Sequence, residues 1–254
     1  MPYPRATDAD AAFFQQHGWI AVTDAIDPVD LEEVIRRCDE ILANKETMAY
    51  DWAWEKGTSL EERDFKIVQS SPTKFWPELN RSRFRCWAIE FGSDLMGEPI
   101  EFWYDQFLAK PPARGAATLW HQDEGYWGRN LADRGMTCWM PFHNVDERNG
   151  CMHFIDGGHQ DGILDHFHPD NVQSDLLYCR PDEARAIPVP MTLGSVTFHH
   201  GKTPHMTTAN TTGDWRKILT QHLRTVGSDG EGDHYGWRVL VNQRTGQRTV
   251  PERR

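Results

Sequence analysis

The chain has 254 residues, of which 39% are hydrophobic and 26% charged, and its formal net charge is -11. These proportions are typical of a globular protein, and no apolar run approaches the roughly 18 residues of a membrane span. The negative charge disfavours nucleic acid and anionic lipid as partners, and the five cysteines lack the CxxC spacing of a structural zinc site. The odd cysteine set and an N-terminus without a basic and apolar leader pattern favour a cytoplasmic location, while the oligomeric state stays open.

The N-terminal part of the chain carries mostly helical patterns. DADAAFFQQHGW predicts a short helix ending near Gly18, WIAVTDAI a strand, and DPVDLEEVIRRCDEILA a second helix behind an Asp cap. Residues 44–80 show no sustained period, so we expect a long irregular insertion there, a candidate lid. A further helix is predicted around Arg81 to Met96.

Short runs rich in Val, Ile, Phe, Trp and Thr then alternate with turn sequences and predict strands. Asn149-Gly150 predicts a hairpin that pairs CWMPFHNV with CMHFI. Helices followed by many strands indicate an α+β chain with a mainly β core, as a sandwich or closed jelly roll. We expect a single domain over 1–254, with a helical part over 1–98, a β core over 99–243 and a solvated basic tail over 244–254.

The stretch WHQDEGYW places a histidine and an aspartate one residue apart. On an extended strand, His121 and Asp123 point to the same face, because side-chain direction has a period of two. His205, in HHGKTPHMTTAN, would complete a facial triad of two histidines and one carboxylate, a set that leaves three open positions on an octahedral iron. The alternative is a hydrogen-bonded His-Asp pair in a polar strand; the second HxD, His168-Pro-Asp170, fits a loop better.

Eleven residues after His205, Arg216 begins RKILTQHLRT, which alternates like a strand. An arginine fork can hold the carboxylate of a dicarboxylate co-substrate beside the metal, and Thr207 could add a hydroxyl. The alternative for Arg216 is a surface ion pair with Asp214 or another acid.

Three segments resemble the core of the phytanoyl-CoA dioxygenase family: WHQDEGYW, CWMPFHNVDERNGCMHFIDGGH and GSVTFHHGKTPHMTTANTTGDWRK. The resemblance runs from about Tyr104 to Leu223, and HGWIAV followed by DPVDLEEV is also similar. It implies a double-stranded β-helix, a cupin-like jelly roll with the N-terminal helices packed on one sheet. It also implies an oxygenase that uses Fe(II), 2-oxoglutarate and O2.

The resemblance also assigns roles to individual residues. It makes His121, Asp123 and His205 the iron ligands, and Arg216 the partner of the distal carboxylate of 2-oxoglutarate. Thr207 would support that carboxylate and Trp139 would pack against the co-substrate. Gln106 and Gln122 are candidates for its metal-binding end, and a core role is the alternative for Trp139 and both glutamines.

Two features refine what the resemblance implies. Asp156-Gly157-Gly158-His159 stands where the family usually has Pro-Gly-Ser-His, which puts a role for this turn in doubt. The carboxylate of Asp123 occupies the position that halogenating relatives leave open for a halide, and this favours hydroxylation. The remaining nearby histidines are expected to be core or surface residues: His143, His153, His159, His199 and His200.

The substrate is expected to be a small molecule. Tryptophans in DWAWEKG and GYWG indicate an aromatic pocket, with Tyr126 and Trp127 as substrate contacts and residues 44–80 and 124–136 as walls. The acidic balance disfavours a coenzyme A thioester, so a secondary metabolite or an amino-acid or sugar derivative is expected. Two alternatives stay open: a cupin-like hydrolase or isomerase using the same His/Asp/His site without Arg216, and a non-catalytic binding barrel.

Overall fold

The computed structural model describes residues 3–43, 50–51, 54–55, 68–113, 115–127, 135–167, 172–173, 177–226, 240–241 and 248–249. The α-helices in these ranges are α1 (Asp8–His17), α2 (Pro28–Ala43), α3 (Pro72–Phe75), α4 (Arg83–Met96) and α5 (Glu124–Trp127). Short 3-10 helices lie at Pro77–Arg81, Gly158–Asp161 and Glu183–Arg185. Within the described ranges, no helix combines the length and apolarity needed to cross a membrane.

The bounds of α1 are set by the capping residues at its two ends. Thr7 and Asp10 form a capping box at the start of α1, and Gly18 ends the helix with φ +76°, a left-handed conformation that glycine adopts without strain. The predicted end near Gly18 is therefore confirmed. The predicted helices at 27–43 and around 81–96 are likewise present as α2 and α4.

The strands are β1 (Trp19–Val22), β2 (Tyr50–Asp51), β3 (Trp54–Glu55), β4 (Val68–Ser70), β5 (Ile100–Lys110), β6 (Thr118–His121), β7 (Gly135–Pro141), β8 (Met152–Ile155), β9 (Val172–Gln173), β10 (Ala186–Val189), β11 (Val196–His200), β12 (His205–Thr207), β13 (Arg216–Thr225), β14 (Leu240–Val241) and β15 (Arg248–Thr249). One sheet has seven strands in the order β1-β11-β7-β13-β5-β4-β2, and a second has four in the order β10-β8-β12-β6. Two short pairs, β14-β15 and β3-β9, complete the described strands.

The two large sheets pack face to face as a jelly roll and do not close into one continuous barrel. Trp19 of the large sheet stacks on Phe154 of the small one with ring centroids 5.2 Å apart. Trp139 and Ile218 join them in a buried cluster between the sheets. The other face of the large sheet packs against α1, α2 and α4 through a separate apolar cluster that includes Phe14, as predicted for the N-terminal helices. Burial of both faces explains why β7, an inner strand of the large sheet, is buried at all seven of its positions.

The predicted hairpin at Asn149-Gly150 is wrong. Strand β7 is buried at all seven positions and lies between β11 and β13, so neither of its edges can accept β8. The chain instead crosses from one sheet to the other. The N–H groups of Asn149, Gly150 and Cys151 all donate to the Asp146 carbonyl oxygen, at 3.3, 3.0 and 2.9 Å. The Asn-Gly pair thus closes a tight turn within a crossing loop.

The structure changes two other predictions in detail, one on the irregular insertion and one on the C-terminal tail. The described part of the predicted irregular insertion is partly regular, since β4 pairs with β5 at one side of the large sheet and α3 follows it. Strands of two or three residues are too short to show a period in the sequence. Strand β15 likewise lies within the predicted tail. The remainder of 44–80 falls mostly outside the described residues, so its role as a lid stays a prediction.

Candidate active site

The predicted metal ligands meet at one end of the small sheet. His121 ends β6 and His205 begins β12, and the two residues are direct partners across this antiparallel pair. Asp123 lies just beyond the strand, in the turn before α5, so the expectation that it stands on the strand is wrong by two residues. Its Oδ1 is nevertheless 4.0 Å from Nε2 of His121 and 3.7 Å from Nε2 of His205. Ligand atoms of all three lie within 4.8 Å of one another, so the set can hold one metal ion.

Backbone carbonyls fix the tautomer of both imidazoles. Nδ1 of His121 is 2.7 Å from the Leu119 carbonyl oxygen, and Nδ1 of His205 is 2.9 Å from that of Thr203. A carbonyl only accepts, so Nδ1 carries the hydrogen in each ring and Nε2 presents its lone pair to the carboxylate side. Burial lowers the pKa of both histidines, which keeps them neutral, as a metal ligand must be.

Asp123 is held as a carboxylate. Burial raises its pKa, but its interactions with the surrounding side chains outweigh this effect and bring the pKa well below its ordinary value. Oδ2, the oxygen that does not face the two ligand histidines, accepts a hydrogen bond of 2.5 Å from the Thr137 hydroxyl. This bond orients Oδ1 towards the ligand set.

A row of inward-facing side chains on the large sheet supports the carboxylate. Thr137 is paired in register with His199 on β11 and with His222 on β13. The Thr137 hydroxyl donates its only hydrogen to Asp123, so its oxygen must accept a hydrogen bond from Nδ1 of His222, which lies 2.8 Å away. Nε2 of His199 is 3.3 Å from Oδ2 of Asp123 but is not aligned for a hydrogen bond. His222 was missed in the sequence analysis and His199 was assigned a core or surface role.

A strongly basic site lies at the other end of the same cavity. Arg216 is the first residue of β13 and is 2% exposed, and its Nη2 donates to the Thr207 hydroxyl at 3.2 Å. Its guanidinium carbon is 5.9 Å from the ring centroid of Trp139. Burial lowers its pKa to about 9, so it is charged at neutral pH. Arg216 is therefore not the surface ion pair considered as its alternative.

The cavity between the sheets connects these two ends and has an empty volume of about 600 Å³, part of it open to solvent. Its walls include the three candidate ligand residues, Arg216, Thr207, Trp139 and Gln106. Gln106 is 3% exposed, and the end of its amide lies 2.9 Å from Nε2 of His222. Because Nδ1 of this neutral imidazole carries the hydrogen, Nε2 can only accept, so the amide NH2 group of Gln106 is the donor.

Gln122 is not brought to this cavity. Its amide nitrogen donates to the carbonyls of Gly162 and Lys202 at 2.7 and 2.6 Å, and its amide oxygen accepts from the N–H of Leu164 at 2.8 Å. Both ends of the side chain are thus used to hold backbone segments. Tyr126 and Trp127 lie on α5, with side chains outside the described part of the structure, and the second HxD at 168–170 is also outside it.

The Asp-Gly-Gly-His turn has a structural role in this chain. The Asp156 carboxylate accepts from Trp19 Nε1 at 3.2 Å and lies 2.6 Å from His17 Nδ1, which ties the end of α1 to the small sheet. The neighbouring His159 is outside the cavity lining, as are the other histidines given a core or surface role apart from His199: His143, His153 and His200.

A jelly roll that carries a buried His/Asp/His cluster beside a buried arginine defines a non-haem iron, 2-oxoglutarate-dependent oxygenase. The comparisons with known proteins agree, because the family model described as "Phytanoyl-CoA dioxygenase (PhyH)" matches residues 14–218. The chain belongs to the phytanoyl-CoA dioxygenase family.

Individual relatives are distant. A "Probable phytanoyl-CoA dioxygenase" from Caenorhabditis elegans is 23% identical over 226 residues, which cover 83% of this chain and 72% of the relative. "Phytanoyl-CoA dioxygenase domain-containing protein 1" from Danio rerio is 27% identical over 126 residues, and the match covers 46% of this chain and 42% of that protein. EvdO2 from Micromonospora carbonacea var. aurantiaca, solved in complex with 2-oxoglutarate, superposes with a TM-score of 0.69 at 22% identity, covering 89% of this chain and 93% of that one. The structural likeness establishes the shared fold.

Proposed function

We propose that this chain uses Fe(II), 2-oxoglutarate and O2 to hydroxylate a small molecule, with release of succinate and CO2. The observation that carries the proposal is the placement of Arg216 and Thr207 in the same cavity as the His/Asp/His cluster. A metal alone does not need a buried cation nearby, whereas a metal-bound dicarboxylate does.

The described residues fit both groups. His121, Asp123 and His205 would hold iron through two neutral imidazoles and one carboxylate. Bound iron supplies O2 activation, with 2-oxoglutarate as the two-electron reductant. Asp123 contributes one negative charge and 2-oxoglutarate two, against two positive charges on the metal, so the distal carboxylate needs a cation of its own. Arg216, whose buried Nε has no partner among the described residues, can supply it.

The walls of the cavity would position the reactants and limit access of water. Trp139 is 3% exposed and presents an apolar surface beside Arg216, suited to the methylene groups of the co-substrate. Gln106 presents a polar group for the metal-binding end of the co-substrate or for the substrate. We expect a secondary metabolite or an amino-acid or sugar derivative as the substrate in preference to a coenzyme A thioester, whose phosphates the acidic chain would repel.

An anaerobic titration with Fe(II) and 2-oxoglutarate tests the proposal, with the weak visible charge-transfer band of the chelated complex as the readout. The wild type should develop the band and His121→Ala should lose it. His143→Ala is the matched control, because among the described residues this imidazole bonds to backbone groups of Asn144 and Lys217, outside the cavity. A wild type without the band, or a normal band in His121→Ala, would refute the proposed ligand set.

Arg216→Met distinguishes an oxygenase from a hydrolase or isomerase that uses the same triad. In an oxygenase the variant should bind 2-oxoglutarate at least about tenfold more weakly, since hydrogen bonds to charged groups contribute roughly 1.5 to 3 kcal/mol each. Turnover by a hydrolase or isomerase would not need the guanidinium. Succinate formation coupled to substrate oxidation separates the oxygenase from a non-catalytic binding barrel.

A further inference from the structure

We propose that Lys110 is a positioning residue for the distal carboxylate of the co-substrate, acting by fixing the direction of the Thr207 hydroxyl. This inference rests on the proposed function, since it concerns how the same cavity selects a 2-oxo acid with a second carboxylate. It assigns a role to a buried lysine that lies behind the cavity wall.

The sheet register places Lys110 next to the basic end of the cavity. Lys110 ends β5 and is the direct partner of Arg216 at the start of β13, so the two side chains extend from the same face. The lysine is fully buried, at 0% exposure. Its Nζ lies 2.7 Å from the Thr207 hydroxyl, 2.8 Å from the Thr208 carbonyl oxygen and 3.4 Å from the Thr207 carbonyl oxygen.

These contacts determine where the hydrogen of the Thr207 hydroxyl points. An ammonium group and a guanidinium group can only donate, and both Lys110 and Arg216 direct an N–H at Thr207 Oγ1, at 2.7 and 3.2 Å. A hydroxyl oxygen has two lone pairs and one hydrogen, so both lone pairs are occupied. The hydrogen must then be donated elsewhere, and Thr207 lines the cavity. The hydroxyl is thereby set as a donor towards a bound anion.

The charges support the same assignment. Burial lowers the pKa of Lys110 well below its ordinary value, and the positive charge of Arg216 lowers it further. Neither cation has a carboxylate partner in the described ranges of the chain. Two adjacent buried cations without a counter-ion are costly unless an anion binds between them. A carboxylate at the Thr207 hydroxyl and the Arg216 guanidinium would supply that anion and stabilise the ammonium form of Lys110, the form that can only donate to Thr207.

The arrangement makes a specific prediction about selectivity. A 2-oxo acid with a terminal carboxylate gains from the oriented hydroxyl and from both cations. 2-Oxopentanoate, which has the same chain length but ends in a methyl group, gains from none of them. The preference of the site for 2-oxoglutarate over 2-oxopentanoate therefore reports on Lys110 independently of metal chelation at the other end of each ligand.

The test uses the Fe(II)-loaded full chain under anaerobic conditions, with the charge-transfer band as the readout of binding for each of the two acids. Lys110→Met should reduce the preference for 2-oxoglutarate about ten- to a hundredfold, the range for loss of a hydrogen bond to a charged group. Thr207→Val should reduce it as well, and the double variant should lose less than the product of the two single effects, because both act through one hydroxyl. Lys74→Met removes an exposed lysine and should leave the preference unchanged.

Each result has a distinct meaning. A preference that survives Lys110→Met, or two effects that multiply fully, would overturn the positioning role while leaving the oxygenase proposal intact. A wild type that gives no band with 2-oxoglutarate would instead refute the proposed function. The preference is a ratio within one protein sample, so partial misfolding of a variant does not affect it. If Lys110→Met does not fold, an unchanged preference in Thr207→Val overturns the inference.

Discussion

The carboxylate of Glu124, the residue after Asp123, allows a prediction about protein stability that can be tested without metal. Glu124, the first residue of α5, is 2% exposed, and neither of its oxygens has a hydrogen-bond partner in the described part of the chain. Burial raises its pKa to about 7 against an ordinary 4.5, and the positive charge of Lys202 offsets only part of the effect. At 1.36 kcal/mol per pKa unit, this difference corresponds to about 3 kcal/mol of folding free energy.

The sign follows from proton binding. Between pH 4.5 and 7 the folded state binds more protons at Glu124 than the unfolded state, so the free energy of unfolding falls as pH rises through this window. Above pH 7 the full cost of about 3 kcal/mol is present, and below pH 4.5 it is absent. Glu124→Gln does not titrate, so its stability relative to the wild type should rise across the same window.

Urea unfolding of the metal-free protein in EDTA, at half-unit steps from pH 4.5 to 8, measures this difference. The glutamine amide has its own desolvation cost, so the readout is the pH dependence of the difference and not its absolute value. Glu78→Gln, which makes the same change at an exposed position, is the control variant. A flat profile for Glu124→Gln would mean that water reaches this carboxylate and that the burial argument is wrong.

Substitutions at three further positions test the hydrogen bonding and packing around the site, each with a control. Thr137→Val removes the hydrogen bond to Asp123 and should weaken Fe(II) binding about 10- to 100-fold by titration, whereas Thr137→Ser should retain it. Gly150→Ala places a Cβ 2.8 Å from a backbone oxygen at φ +94° and should lower the unfolding free energy by at least about 1 kcal/mol. Gly125→Ala brings a Cβ within 2.6 Å of the His166 ring, an overpacking cost of about 1 to 3 kcal/mol in the same urea assay. The control for both glycines is Gly213→Ala, which has no heavy atom within 4 Å of its added carbon and should be neutral.

The N-terminal helices and the pair His121 and Asp123 could be predicted because their signals lie between residues close in sequence. The capping residues of α1 are neighbours in sequence, so its bounds follow from the sequence alone. His121 and Asp123 are also close in sequence, and their side chains meet although the strand ends between them. His205 and Arg216 could be proposed only as candidates from residue type and strand pattern, and the family resemblance then assigned their roles, because nothing local indicates that β12 pairs with β6.

The residues that were missed depend on register between distant strands. Lys110 meets Arg216 only because β5 and β13 pair in one particular register. His222 could have been found by counting in steps of two from Arg216 along β13, a signal that was present and not used. The hairpin prediction failed because a strong local turn signal cannot show that both edges of β7 are already paired with other strands.

The proposed metal ligands and the carboxylate anchor come from opposite halves of the sandwich. His121 and His205 belong to the small sheet, while Arg216 belongs to the large one. A co-substrate chelated at one end and ion-paired at the other would therefore link the two sheets. Binding of the co-substrate should raise the melting temperature of the protein by mass action. Decarboxylation would shorten this link, because it converts a five-carbon ligand into a four-carbon one.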